Sequence, residues 1–295
     1  MRLLPLFALA LAIVPASAGA GAWKTVVPLP GQRPAVVSSD GVTVTLTPPT
    51  QAQLDAAEEG PPPSVAIVVQ YPGQPPYAVT RDDYRNDMHG ITVGIGALHK
   101  GDPPVVVLKG YSGGMHCCAT YQMVTLADGG PRTLQLTGMD GAPGRGFPKD
   151  LDGDGAADVL RADDRFLYAF TSYNASWSPP VVYNLRGGQL LDVSAEPCFA
   201  KAFTRFANQT RRTCASRDVG RNGACSAYAA AMARLGKAEE GVAFAVAHHE
   251  DSGWLPEPCR VEPDEDGACP EGKARTFGGF EEALRWFLQD TGYTG

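Results

Sequence analysis

Between residues 147 and 160 the chain reads FPKDLDGDGAADVL, which sets four aspartates within nine residues. Ionised carboxylates this close repel one another, by about 1 kcal/mol per pair at 4 Å in water and about 4 kcal/mol near a protein surface. A divalent cation reverses the sign of that interaction. Counting from Asp150, side-chain oxygens fall at positions 1, 3, 5 and 9, on Asp150, Asp152, Asp154 and Asp158. Ala156 offers its carbonyl at position 7, and Gly155 at position 6 permits the sharp turn. All donors are hard oxygens and no His or Cys interrupts them, which selects calcium or magnesium over zinc or copper. Charge, ligand number and loop flexibility then select calcium. The competing reading of such a stretch is a solvated Asp/Gly turn without an ion.

The loop is not an EF-hand, because position 12 is Arg161 where a bidentate Glu would stand, and it runs into ADVL, a strand pattern. It resembles the D-x-D-x-D-G-x-x-D calcium loop of FG-GAP and VCBS-type repeats, the loops of integrin-like propeller blades. The resemblance covers the loop closely and residues 90–193 loosely. It implies calcium as the ion and Asp150, Asp152, Asp154 and Asp158 as side-chain ligands. Those families carry several such loops, whereas this chain has one, and its GAP tripeptide at 141–143 precedes the loop. Residues 23–193 are also too few for a propeller of several four-stranded blades. The segment GGMHCC at 113–118 is similar to one in a group of exported bacterial proteins, a resemblance that implies no activity.

Two other stretches carry reactive side chains. GYSGG at 110–114 fits G-x-S-x-G, which would make Ser112 a serine-hydrolase nucleophile with Asp158 and His248 or His249 downstream. That fold needs a parallel sheet with crossover helices, and residues 23–109 offer only the short helical pattern QAQLDAAEEG at 51–60. HCC at 116–118 allows His116 and Cys118 to share one strand face as transition-metal ligands, with no third ligand nearby. His248 and His249 end a helical pattern, where they complement the helix dipole. Tyr168, Phe170, Tyr173, Trp177 and Tyr183 form either a sugar-stacking face or ordinary strand packing, and the latter is preferred. The acidic segment EPDEDG at 262–267 lacks the ligand register and reads as a solvated loop.

The elements that position these residues divide at about residue 195. VTVTLT, SVAIVVQY, ITVGIGAL, VVVLKGY, YQMVTL, RTLQLTGM, ADVLRA, FLYAFTSY and VVYNL alternate with Gly, Pro and Asp turns, the signature of antiparallel strands. Residues 97–108 and 150–161 share a turn-then-strand pattern, a weak internal repeat. After Pro197 the chain becomes Ala-rich at helical spacing, and Phe280, Leu284, Phe287 and Leu288 mark one face of an amphipathic helix. The expected fold is mainly antiparallel β, as a sandwich or partial propeller-like blades, over 21–195. A smaller, disulfide-stapled α-helical domain follows over 196–295.

Residues 1–20 read as a signal peptide: Arg2, an apolar run from Leu3 to Val14, then Ala16-Ser17-Ala18. Periplasmic or extracellular export follows, and with it disulfides. Among the seven cysteines, Cys214 with Cys225 and Cys259 with Cys269 flank short loops, and Cys198 is assigned to Cys117 or Cys118. The net charge of −7 gives no electrostatic reason to bind nucleic acid or anionic lipid, and no stretch after the leader is long enough for stable membrane insertion. The combined expectation is an exported calcium-binding module that recognises a protein or glycan ligand. The serine hydrolase and the His116 metal protein are the alternatives.

Overall fold

Period-two burial builds the first half of the molecule. A computed structural model describes residues 23–26, 34–56, 65–79, 91–111, 117–127, 129–140, 147–262, 264 and 268–295. In chain order the elements are β1 (Lys24–Val26), β2 (Ala35–Ser39), β3 (Val42–Thr47), α1 (Gln51–Asp55), β4 (Ala66–Gln70), β5 (Tyr77–Ala78) and β6 (Thr92–Gly96). They continue with β7 (Val105–Tyr111), β8 (Cys117–Ala127), β9 (Gly130–Asp140), β10 (Val159–Ala162), β11 (Pro180–Arg186) and β12 (Gln189–Asp192). Helices α2 (Ala200–Cys214), α3 (Asn222–Arg234), α4 (Ala238–His248) and α5 (Phe280–Asp290) complete the chain.

Among the described residues the strands form three antiparallel sheets, ordered β1-β6-β7-β8-β9, β10-β11-β12 and β2-β3-β4-β5. Their stacking follows from which strands are apolar on both faces. In β3, Val42, Val44 and Leu46 point inward and meet Val93, Ile95, Val106 and Leu108 of the five-stranded sheet. The other face of β7, Val105 and Val107, joins Met123, Val159, Tyr183 and Leu185 in a second core against the three-stranded sheet. Strand β11 alternates in turn, and its Val182 packs with Val193, Phe199 and Phe203 under α2. The order of layers is therefore four strands, five strands, three strands, helices.

The helical end is held by alanine. Helix α3 is buried along Asn222–Met232, and small side chains let α4 approach closely: a Cβ on Gly241 would meet Met232 Cβ at 2.6 Å. Helix α5 turns Phe280, Leu284, Phe287 and Leu288 into the same core, as their spacing predicts. The disulfide Cys214–Cys225 joins the end of α2 to α3, and Cys259–Cys269 closes the loop before α5. The molecule is thus mainly antiparallel β with a disulfide-bearing helical C-terminal region. Among the described residues no helix is long and apolar enough to cross a membrane.

Three expectations need correction. FLYAFTSY is not a strand: Asp164–Phe166 and Tyr173–Ala175 are 3₁₀ turns with irregular backbone between them. A strand would put Phe166, Tyr168 and Phe170 on one face, but only the two phenylalanines are buried. They pack edge-on to Phe287 with ring centroids 4.9 and 5.3 Å away, while Tyr168 is exposed at φ 60°. Helix α5 claims these rings, so an apolar core links residues on both sides of position 195. Strands β1, β2, β5 and β12 went unpredicted; β12 is mostly exposed and carries no clear alternation. Cys198 is not disulfide-bonded and is an exposed free thiol in the turn Pro197–Phe199.

Candidate metal centre

The aspartate loop is shaped by its own amides. Asp150 accepts the N–H groups of Gly153 (2.6 Å) and Gly155 (3.0 Å), Asp152 that of Asp154 (3.1 Å), and Asp154 that of Ala156 (2.7 Å). Such side-chain-to-backbone bonds are what short aspartates favour in turns. Gly153 and Gly155 sit at φ 89° and 88°, the left-handed region that glycine enters without a Cβ penalty. The ends are clamped by a two-way bridge, Lys149 N–H to Asp158 O (2.9 Å) and Asp158 N–H to Lys149 O (2.8 Å). The Ala157 amide then bonds Leu98 O at 2.6 Å, tying the loop to the turn before β7. That turn and the loop are the two copies of the weak repeat.

Asp150, Asp152 and Asp158 each bring a carboxylate oxygen to within 4.8 Å of the others. Asp154 turns its carboxylate to the Ala156 amide, and Ala156 is buried at the loop's exit. Asp158 is 1% exposed and accepts from Leu151 N–H (3.0 Å) and from Asn184 Nδ2 (2.7 Å) on β11. Burial pushes the Asp158 carboxyl above its usual range; the two donors work against this, and the charges of Asp152 and Asp154 reinforce it. Burial acts upward on Asp152 as well, but the Asp154 amide and the Cys198 thiol outweigh it and hold that carboxyl low. Among the described residues no lysine or arginine is ion-paired with any of the four. Neutral donors orient these carboxylates and leave their charge in place.

Sequence reasoning missed Asn184 and Cys198. Asn184 lies 26 residues from Asp158, and only the β10–β11 register, Val159 opposite Tyr183, reveals the contact. The Cys198 thiol is raised by burial and by its hydrogen bond to Asp152.

The alternative sites fare differently. Ser112 and His116 lie outside the described residues, as do the side chains of Cys117 and Cys118. Of the downstream residues assigned to Ser112, His248 and His249 direct Nδ1 to Phe244 O (2.8 Å) and Val246 O (2.6 Å). Their rings stack on Phe244 and Phe280, and neither hydrogen-bonds Asp158. Trp177 packs on Phe206 and Tyr183 on the second core, whereas Tyr168 and Tyr173 pair near the surface at 5.5 Å. Most of EPDEDG lies outside the described residues.

Comparison with known proteins adds kinship for the helical region. Residues 200–292, from the first residue of α2 to just beyond α5, match the model of the sll0997 C-terminal domain family. The chain is 30% identical over 196 residues to the probable thylakoid lumen protein sll0997 of Synechocystis, covering 64% of this chain and 56% of that protein. It is 29% identical over 194 residues to the uncharacterized protein y4bJ of Sinorhizobium fredii, covering 65% of this chain and 30% of that protein. The alignments thus span little more than half of one relative and less than a third of the other. No solved structure matches.

Proposed function

We propose that this chain is an exported protein whose β region is stabilised by a calcium ion in the loop 150–158, and that it acts as a binding module for a protein or glycan. Asp150, Asp152 and Asp158 supply carboxylate oxygens, and Asp154 and the Ala156 carbonyl complete the set. The observation that carries the reading is the convergence of three carboxylates within 4.8 Å, none of them ion-paired with a lysine or arginine among the described residues. Bound calcium would supply that charge and hold the loop between the three- and five-stranded sheets. Export is supported by the leader pattern, by two disulfides and by the similarity to a protein described as lumenal.

The test is thermal unfolding in EDTA, in calcium and in magnesium. A rise in melting temperature with calcium, smaller with magnesium, is expected. Identical curves in all three would reduce the loop to an acidic turn.

A further inference from the structure

Between the three-stranded sheet and the C-terminal helices lies a cavity of about 420 Å³, lined by Arg161, Arg165, Arg234, Asp163, Asp164 and Asp192 together with apolar and backbone groups. The formal charges balance, but the hydrogen-bonding capacity does not. Asp163, 5% exposed, is saturated: one oxygen takes Arg165 Nε (2.7 Å) and the Arg165 amide (3.2 Å). The other takes Arg165 Nη2 (2.6 Å) and the Tyr293 hydroxyl (3.0 Å). The donors are not saturated. Arg234 lies over the Tyr293 ring at 4.4 Å, gives one hydrogen bond, to Gly292 O at 3.3 Å, and reaches Asp192 only at 3.6 Å. Its Nε is buried and meets no acceptor among the described residues. A guanidinium carries five N–H donors, and among the described residues Arg234 places one of them in a hydrogen bond. Arg165 commits Nε and Nη2 to Asp163 and leaves Nη1 without a hydrogen bond among the described residues. Arg161, 5% exposed with its guanidinium 5.1 Å from the Tyr121 ring, adds buried positive charge to the same cavity.

We infer that this cavity binds an oxyanion, the carboxylate or phosphate group of a small solute. Arg234 acts as the fork donor, the half-exposed Arg165 offers the Nη1 that Asp163 leaves over, and Arg161 supplies further positive charge. Guanidinium forks suit both groups, and a cavity of this size accepts a small molecule. The site uses none of the loop residues, so it neither needs calcium nor fails with it.

The test is calorimetric titration of the full chain, disulfides intact, in EDTA at fixed ionic strength, with inorganic phosphate and succinate in separate runs. Saturable binding of at least one is expected; phosphate alone, succinate alone or both would each support the site and name its source. Arg234→Gln should weaken that binding at least tenfold, while Lys201→Gln on the outer surface of α2 should leave it unchanged. If Arg234→Gln fails to fold, Arg165→Lys keeps the charge but loses the Nη1 donor, and it too should weaken binding. Absence of saturable binding of either anion up to about 10 mM would overturn the inference. So would a folded Arg234→Gln, or failing that Arg165→Lys, that binds like the parent.

Discussion

Asp158 and Asp163 stand five residues apart, each almost inaccessible at 1% and 5% exposure, yet they are compensated by opposite means. Asp158 receives an amide N–H and the neutral side chain of Asn184. Asp163 receives both arms of the Arg165 fork and a tyrosine hydroxyl. Neutral donors orient a carboxylate without cancelling its charge, and it is on this that the proposed calcium site at Asp158 rests. A guanidinium cancels the charge where it stands, so the group containing Asp163 is closed to cations. What separates the proposed metal loop from the internal ion pair is the charge of the donor, not the number of aspartates.

Four variants can break or sharpen this contrast, taken from the largest expected effect downward. Asp163→Ala should cost about 2–4 kcal/mol, because it strands the Tyr293 hydroxyl and part of the Arg165 fork. Denaturant unfolding should show the same loss with and without calcium; recovery in calcium would erase the distinction between the two groups. Asp152→Ala with Asp154→Ala should remove the calcium-dependent stabilisation, about 2.7 kcal/mol where calcium exceeds its dissociation constant a hundredfold. In EDTA the double variant loses two loop-shaping hydrogen bonds along with the repulsion, so the calcium response is the readout, and an undiminished one would place the ion elsewhere.

Asn184→Ala should cost about 1–2 kcal/mol without calcium, because Asp158 loses a buried donor. The calcium response should persist, since the carboxylate remains; its disappearance would make Asn184 part of the ion site. The smallest effect belongs to Glu196→Gln. Glu196 pairs with Arg186 at 2.6 and 2.9 Å on the surface, and that hydrogen-bonded guanidinium holds its carboxyl below the ordinary range. A depressed carboxylate stabilises above its unfolded pKa and loses that contribution as pH falls through the folded one. Any difference between parent and variant should therefore vanish on acidification below about pH 4 and shrink in high salt. A difference that grew with acid would reverse the sign assigned to this pair.

The core strands were legible because their apolar residues alternate, as in VTVTLT, or run unbroken where both faces are covered, as in VVVLKGY: β3, β4 and β7 fall close to where VTVTLT, SVAIVVQY and VVVLKGY place them. The failure at 166–173 has the same root. Its aromatics satisfy the period-two pattern, but their partners are Phe280, Phe287 and Tyr293, more than a hundred residues on, and no local pattern encodes that. The loop could be read because its ligand atoms follow from spacing within nine residues. Asn184 and Cys198 could not, because strand register and a 3₁₀ turn bring them in. The arginine cavity was the least legible feature: Arg161 entered the sequence reading only as a missing EF-hand ligand, and the three arginines 161, 165 and 234 lie on three elements of the fold.

The Ala157 amide bonded to Leu98 belongs to no strand ladder. It acts as a rivet through the seam between the three- and five-stranded layers. A load that peels those layers apart reaches this rivet early, while the β7–β8 ladder behind it still holds. A cation seated in the aspartate loop would toughen the molecule against tearing while leaving every sheet as it is.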